Sequence, residues 1–304
     1  MDLTALGTLG TLGTEIRNDR TAELDRMPVS ELLSVMNAED QTVALAVRDA
    51  LPQIGDAVEA ITESLRRGGR LIYLGAGTSG RIGLLDAVEC PPTFGTPPEQ
   101  VVGLLAGGPG AFIVAVEGAE DEPARAVADL DGIGVNERDT VVGLAASGRT
   151  PYVVGGLQRA AAAGAVTVSV ACNRDALVSR YADIPIEVVT GPEVLTGSTR
   201  LKGGTAEKMV CNMLSTASMV RLGKVYGNLM VDMRATNDKL VDRARRMVSQ
   251  ATGADTDTAA QALDAAGGHA KTAIVMLLAG FTAEEAAERL ARAQGDTRTA
   301  VARS

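Results

Sequence analysis

The chain has 304 residues, a formal net charge of −9 at pH 7, and 46% hydrophobic but only 2% aromatic residues. This acidic composition, with only short Lys/Arg clusters and no Trp, disfavours nucleic acid and anionic membranes as partners. Because His269 is the single histidine, a histidine-rich metal site is not expected, nor is a Ser-His-Asp or Cys-His catalytic site unless His269 serves it.

The expected compartment is the cytoplasm. Three widely spaced cysteines, Cys90, Cys172 and Cys211, form neither a disulfide framework nor a CxxC motif and are expected to be reduced. The N-terminus lacks the basic and apolar segments of a secretory signal. The longest apolar run, residues 272–281, is shorter than the ~20 residues that a membrane span needs.

The first three quarters of the chain predict an α/β fold. Residues 28–67 have helical periodicity, and Asn37 with Asp40 could open a helix there. Apolar runs then predict strands at residues 71–74, 101–105, 141–145, 166–170 and 184–189. Helices are expected between them at 82–88, at 123–130 and after Thr150, an N-cap followed by Pro151. Continuous apolar strands alternating with helices indicate a parallel sheet covered on both faces.

The last quarter predicts only helices. A long helix is expected over residues 205–222, and the strands stop by about residue 241. Thr258 with Gln261, and Thr282 with Glu285, read as capping boxes of two helices that Gly267 and Gly268 separate. We therefore predict an α/β domain with N-terminal helices over residues 1–240 and a small helical domain over residues 241–304.

The loop after the first predicted strand admits two interpretations. Residues 75–80, Gly-Ala-Gly-Thr-Ser-Gly, match the GxGxxG dinucleotide fingerprint. However, the second strand ends Leu-Leu-Ala-Gly-Gly at residues 104–108, without the acidic residue that holds the ribose. The other interpretation is an anion site, in which Gly77, Thr78, Ser79 and Gly80 surround a helix N-terminus.

A second loop of the same kind follows the third predicted strand, with Ser147, Gly148 and Thr150 before the next helix. Ligands of parallel sheets bind at the carboxyl ends of the strands, where both loops lie. Either loop alone would favour simple helix capping. Two loops at equivalent places favour a shared sugar phosphate.

Five segments resemble the N-acetylmuramic acid 6-phosphate etherase family over nearly the whole chain. They are residues 77–81 (GTSGR), 89–94 (ECPPTF), 115–121 (AVEGAED), 146–151 (ASGRTP) and 197–202 (GSTRLK). The resemblance implies a sugar isomerase (SIS) domain with a three-layer sandwich. It also implies a homodimer and a C-terminal helical unit similar to a ubiquitin-associated domain.

The activity that the resemblance implies is cleavage of the D-lactyl ether of N-acetylmuramic acid 6-phosphate, in cell-wall sugar recycling. The products would be N-acetylglucosamine 6-phosphate and D-lactate. The catalytic residues of the family would fall on Glu89 and Glu120, and neither a metal nor a redox cofactor is required. Which glutamate is the acid and which the base stays open at this point.

The sequence itself supports the three candidate glutamates to different degrees. Glu89 precedes Cys90 and two prolines, which predicts a helix end where the helix dipole disfavours a carboxylate. Glu120 lies in an acidic stretch and is singled out only by the resemblance. Glu207, on the long helix, resembles a sugar-contacting glutamate of related isomerase domains, although a surface charge is an equal alternative. A non-catalytic sugar-phosphate sensor, similar to the glucokinase regulatory protein, and a nicotinamide dehydrogenase remain as alternatives.

Overall fold

The computed structural model describes residue 10, residues 12–233 and residues 238–302. Within this range the chain forms two compact units. The first comprises the residues up to Val88 together with Glu99–Ser215, and the second comprises Glu89–Pro98 and the residues from Thr216 onward. The division into domains at residue 240 stays a prediction.

In the described part of the chain, two α-helices precede the sheet, α1 (Val29–Asp49) and α2 (Leu51–Arg66). The predicted helix opening at Asn37 is wrong, because α1 begins eight residues earlier and Asn37 lies inside it. Its side chain instead accepts a hydrogen bond of 2.8 Å from Gln41 on the next turn. α2 buries an apolar face that includes Ile54, Val58 and Ile61.

The strands and helices between residues 71 and 221 alternate as predicted. They are β1 (Leu71–Gly75), α3 (Gly77–Phe94), β2 (Val101–Leu105), α4 (Pro123–Gly132), β3 (Thr140–Leu144), α5 (Pro151–Ala162), β4 (Val166–Ala171), β5 (Ile184–Glu187) and α6 (Lys202–Arg221). The five strands form one parallel sheet of order β2-β1-β3-β4-β5. The predicted α/β fold is therefore confirmed.

Helices cover both faces of this sheet because successive side chains of β1 point to opposite sides. Ile72 and Leu74 pack into a core with residues of α4 and α5. On the other face, the Tyr73 hydroxyl donates to Asp86 of α3 at 2.9 Å. Both β1 residues Leu74 and Tyr73 are fully buried, as expected for the central layer of a three-layer sandwich.

Helix α3 differs from the prediction at both ends. It begins at Gly77 rather than at residue 82, and it continues through Pro91 and Pro92 to Phe94. The expectation that the prolines end the helix near Glu89 is thus wrong. Each proline removes one N–H donor, but its fixed φ is that of a helix and its carbonyl still accepts. The Pro91 carbonyl accepts a 3.0 Å bond from Gly95, which adopts φ +64° and ends the helix.

The second unit contains α7 (Asp238–Thr252), α8 (Thr256–Ala265), α9 (Ala270–Ala279), α10 (Ala283–Arg292) and α11 (Thr297–Val301). The capping box predicted at Thr282 and Glu285 is confirmed. The one predicted at Thr258 is wrong, because Asp255 is the N-cap of α8 and accepts from the Thr258 N–H at 2.9 Å. Among the helices described, none combines the length and the apolarity needed to cross a membrane.

Candidate active site

The loop after β1 turns directly into helix α3. Because α3 begins at Gly77, Thr78 and Ser79 lie in its first turn, where backbone N–H groups have no acceptor within the helix. Gly80 cannot be replaced by a larger residue, since an added Cβ would overlap the Gly75 carbonyl oxygen. The close approach of this turn to the end of β1 therefore points the positive end of the α3 dipole at the carboxyl edge of the sheet.

The loop after β3 is fixed by hydrogen bonds from the Asn173 side chain. Asn173 donates through Nδ2 to the Ala146 carbonyl at 3.3 Å and to the Ser147 carbonyl at 3.2 Å. Gly148 adopts φ +74°, a conformation that glycine permits. Thr150 is the N-cap of α5, as predicted, but its side chain makes no capping hydrogen bond. Its hydroxyl is therefore not used to cap α5.

The sheet topology brings the two loops together. β1 pairs with both β2 and β3, and Gly75 is the register partner of Leu144. The order 2-1-3-4-5 reverses direction at the β1–β3 pair, which is the crevice where such sheets bind ligands. The first turn of α3, with Thr78 and Ser79 (the Ser79 turn), follows Gly75 closely. The loop with Ser147 and Gly148 (the Ser147 loop) follows Leu144 closely. They therefore flank the same crevice.

Helix α6 also begins at this edge. A Cβ added to Gly204 would lie 3.3 Å from Thr78 Cγ2, and one added to Gly203 would lie 3.3 Å from the Ala146 side chain. The carboxylate of the fully buried Glu193 accepts from the backbone N–H groups of Lys202 and Gly203, both at 2.9 Å. The chain's own carboxylate thus occupies the anion site of α6, whereas α3 and α5 have no such carboxylate cap among the described hydrogen bonds.

Glu207 lies one turn after Gly203 on α6 and is fully buried. Within the described part of the chain, neither of its carboxylate oxygens has a hydrogen-bond partner. Burial raises the pKa of Glu207 to about 8, and the nearby Ser79 hydroxyl partly offsets this rise. The carboxyl is therefore mainly protonated at neutral pH. The structure places it beneath the Ser79 turn, and its role as a sugar ligand stays a prediction.

Glu120 lines a cavity of about 140 Å³ next to the α3 N-terminus. The cavity is formed by the end of β2, by the start of α3 and by the segment that follows β2. Its lining is Ala76, Gly77, Arg81, Leu105, Ala106, Ala111, Ala115, Val116, Glu117, Gly118, Ala119 and Glu120. The structure thus brings Glu120 and Gly77, two residues predicted from distant parts of the sequence, to one cavity.

Glu89 belongs to the second compact unit and is an exposed residue of α3. His269 also belongs to that unit, where its Nε2 lies 3.5 Å from Asp232 Oδ1. Asp232 further pairs with Lys224 at 2.9 Å and Lys271 at 2.8 Å. Among the described residues, no group of three His, Cys, Asp or Glu side chains could hold a metal ion.

Comparison with known proteins identifies the family. A model of the glucokinase regulatory protein N-terminal SIS domain matches residues 53–161. The N-acetylmuramic acid 6-phosphate etherase of Mycolicibacterium smegmatis is 78% identical over 301 residues, covering 99% of both chains. The chain belongs to the N-acetylmuramic acid 6-phosphate etherase family.

A more distant etherase, from an Exiguobacterium species, is 59% identical and covers 96% of this chain and 100% of its own. Among solved structures, the phosphoheptose isomerase of Neisseria gonorrhoeae is 12% identical, with a TM-score of 0.47, and covers 62% of this chain and 99% of its own. Membership of the etherase family confirms the resemblance noted in the sequence. The dinucleotide interpretation of residues 75–80 is therefore set aside.

Two residues of the candidate site were not found from the sequence. Glu193 caps α6 from nine and ten residues away, and Arg81 contacts the segment that carries Glu120. Arg81 lies within the GTSGR motif, so its place in that motif was the available signal. Glu193 had none, because a carboxylate in a loop does not show which helix it will cap.

Proposed function

We propose that the chain is a carbon–oxygen lyase that cleaves the D-lactyl ether of N-acetylmuramic acid 6-phosphate. The products are N-acetylglucosamine 6-phosphate and D-lactate, and the reaction serves cell-wall amino-sugar recycling. The observation that carries the proposal is the β1–β3 pairing, which sets two hydroxyl-bearing helix N-termini on one crevice. A sugar phosphate is the ligand class suited to such a crevice. The etherase relatives, 78% and 59% identical to this chain, support the same substrate.

The phosphate binds between the two loops. In this proposal, the first turn of α3 contributes Gly77, Thr78, Ser79 and Gly80. The N-terminus of α5 and the loop before it contribute Ser147, Gly148 and Thr150. Backbone N–H groups and hydroxyls donate to the phosphate oxygens, and both helix dipoles favour the negative charge. Glu207 would contact the sugar only after the Ser79 turn moves, because its carboxyl is fully buried here.

Elimination followed by water addition is the route that suits two carboxylates. In the open-chain sugar, the C1 aldehyde acidifies the C2 proton, and the lactyl oxygen on C3 is β to the resulting carbanion. A carboxylate removes the C2 proton, the C3–O bond breaks, and a carboxylic acid protonates the departing lactate oxygen. Water then adds to C3 of the unsaturated aldehyde and a proton returns to C2. Glu89 and Glu120 share these roles.

The activity is tested by incubating the purified protein with N-acetylmuramic acid 6-phosphate and measuring D-lactate enzymatically. We expect D-lactate and N-acetylglucosamine 6-phosphate in equal amounts. N-acetylglucosamine 6-phosphate as starting material is the matched control, because it lacks the lactyl group and should yield nothing. Absence of D-lactate from the muramic acid substrate would refute the proposed function.

We also propose that the protein is a cytoplasmic homodimer that needs no nucleic acid or membrane partner. Val29 and Leu33, exposed apolar side chains one turn apart on α1, provide a surface that a second copy could cover. The three cysteines are buried and form no disulfide within the described part of the chain, which suits a reducing compartment. Light scattering over a dilution series tests the assembly, and an active monomer at all concentrations would exclude the dimer.

A further inference from the structure

The segment between β2 and α4 carries Glu120, and few interactions within it fix its conformation. Gly107, Gly108 and Gly118 within it all adopt positive φ. The tip is poorly buried, with Phe112, Ile113 and Val114 exposed by 43%, 86% and 70%. Few apolar contacts therefore fix its conformation.

From residue 108 to residue 121, the described backbone hydrogen bonds of this segment are local. The N–H groups of Ala111, Ile113 and Ala119 each bond to the carbonyl three residues earlier in the same segment. Such bonds shape the segment but do not fix its position relative to another element. In the described part of the chain, the buried side chains of Ala111 and Ala119 are its main apolar anchors.

Arg81 supplies the polar connection to helix α3. Its Nε donates to the Phe112 carbonyl at 2.9 Å and its Nη2 donates to the Ala111 carbonyl at 2.7 Å. The planar guanidinium can hold two successive carbonyls in one geometry, which a lysine ammonium cannot do. Arg81 lies one turn after Gly77 and lines the same cavity as Glu120. It thus connects the first turns of α3 to the segment that carries Glu120.

We propose that Arg81 is a positioning residue of the etherase reaction. By fixing the Ala111 and Phe112 carbonyls to α3, it holds the Glu120 carboxyl in register with the phosphate-binding turn. It acts through the loop and not on the substrate. This inference rests on the proposed function, because it takes Glu120 to be one of the two reacting carboxyl groups.

The test compares Arg81→Ala and Arg81→Lys with the wild type in two measurements. The first is kcat and KM for D-lactate release. The second is amide hydrogen exchange of residues 109–121. For Arg81→Ala we expect kcat to fall about 10- to 100-fold, the size of effect that a 1 Å misplacement produces. KM should change little, and exchange should accelerate in residues 109–121 alone.

Arg81→Lys should resemble Arg81→Ala, because one ammonium does not replace the two-pronged contact. Guanidinium ion at a non-denaturing concentration should restore part of the turnover of Arg81→Ala. Arg125→Ala is the matched control, since Arg125 forms an exposed ion pair with Glu122 at the end of the same segment. It should leave both measurements unchanged.

Two results would overturn the inference. Wild-type turnover in Arg81→Ala would show that the contact does not matter. Lost turnover with unchanged exchange in residues 109–121 would show that Arg81 acts on the substrate directly. If the wild type releases no D-lactate, the proposed function fails instead, and the exchange measurement still shows whether Arg81 holds the loop.

Discussion

Lys202 and Glu39 form a buried ion pair between α6 and α1, with 2.7 Å between Nζ and Oε2 and side chains only 3% and 9% exposed. The pair links residues 163 positions apart, and Lys202 is the first residue of the helix that carries Glu207. Burial alone would raise the pKa of Glu39. The hydrogen bond and charge of Lys202, together with Arg20, outweigh it and lower that pKa below its ordinary value.

Replacing Glu39 by Ala should therefore destabilise the fold strongly. It leaves the Lys202 ammonium buried without its partner, at a cost of about 3–5 kcal/mol. The double variant Glu39→Leu, Lys202→Met should lose less than Glu39→Ala, since it removes both charges. Urea unfolding checks both, with Arg48→Ala as the control because the Arg48–Asp49 pair is exposed. A double variant less stable than Glu39→Ala would contradict this account.

Acid should weaken the same ion pair. The pKa of Glu39 is lower in the folded state than its ordinary value of 4.5. A group with a lowered folded pKa stabilises the protein above the unfolded pKa and loses that contribution as pH falls through the folded pKa. The stability difference between wild type and Glu39→Gln should therefore shrink below about pH 4.5. Urea unfolding at a series of pH values measures it, and a difference that grows on acidification would contradict the prediction.

Glu207 should show the opposite pH dependence. Its pKa is raised from 4.5 to about 8, so unfolding above pH 4.5 releases a proton and becomes more favourable up to about pH 8. Glu207→Gln, which is neutral at every pH, should gain stability over the wild type across this interval and then level off. Glu137→Gln is the control, since Glu137 is exposed. An advantage that does not vary between pH 5 and pH 8 would mean that Glu207 is ionised in the folded protein.

How much of the fold could be predicted depends on whether the residues that determine an element lie within that element. The strands are recognisable because each is a short apolar run, and their alternation with helices dictates a parallel sheet. The start of α3 was missed because its first turn contains Gly77 and Gly80, which favour helices poorly. Its extension through Pro91 and Pro92 was missed because prolines usually end helices.

Prediction of the candidate site was limited in the same way. The two serine loops could be placed at the carboxyl edge of the sheet from their positions after apolar strands. The strand order, which makes β1 and β3 neighbours, depends on long-range packing that no local pattern records. The contacts of Arg81 with the Phe112 carbonyl and of Glu193 with α6 likewise join segments that are distant or irregular.

The two serines should contribute to phosphate binding. Ser79→Ala or Ser147→Ala removes one hydroxyl donor to an anionic ligand and should weaken binding of N-acetylglucosamine 6-phosphate by about 1–3 kcal/mol each. Calorimetric titration with this product isolates binding from catalysis. Ser34→Ala, at an exposed position on α1, is the matched control and should bind like the wild type. Unchanged affinity in both serine variants would remove the two loops from the phosphate site.

Isotope labelling tests the elimination–addition route directly. In ¹⁸O water, label should enter the sugar product at C3, because the C3–O bond breaks and water adds there. In deuterated water, C2 of the sugar should acquire deuterium, because its proton is removed and replaced. Mass spectrometry and NMR locate both labels. Label in lactate with an unlabelled sugar would show cleavage on the lactyl side and would exclude the route.

Glu89→Gln and Glu120→Gln then assign the carboxyl groups. Glutamine is nearly isosteric, so both variants should fold, and each should lose about 10²- to 10⁴-fold in kcat, the usual effect of removing a general acid or base. The variant that lacks the C2 base should neither release lactate nor exchange deuterium into C2. The variant that lacks only the acid should retain C2 exchange without releasing lactate, because the proton can leave and return while the C3–O bond stays intact.

Glu117→Gln is the matched control, since Glu117 lines the same cavity as Glu120 but has no part in the proposed chemistry. Wild-type turnover in either Glu89→Gln or Glu120→Gln would remove that residue from the mechanism.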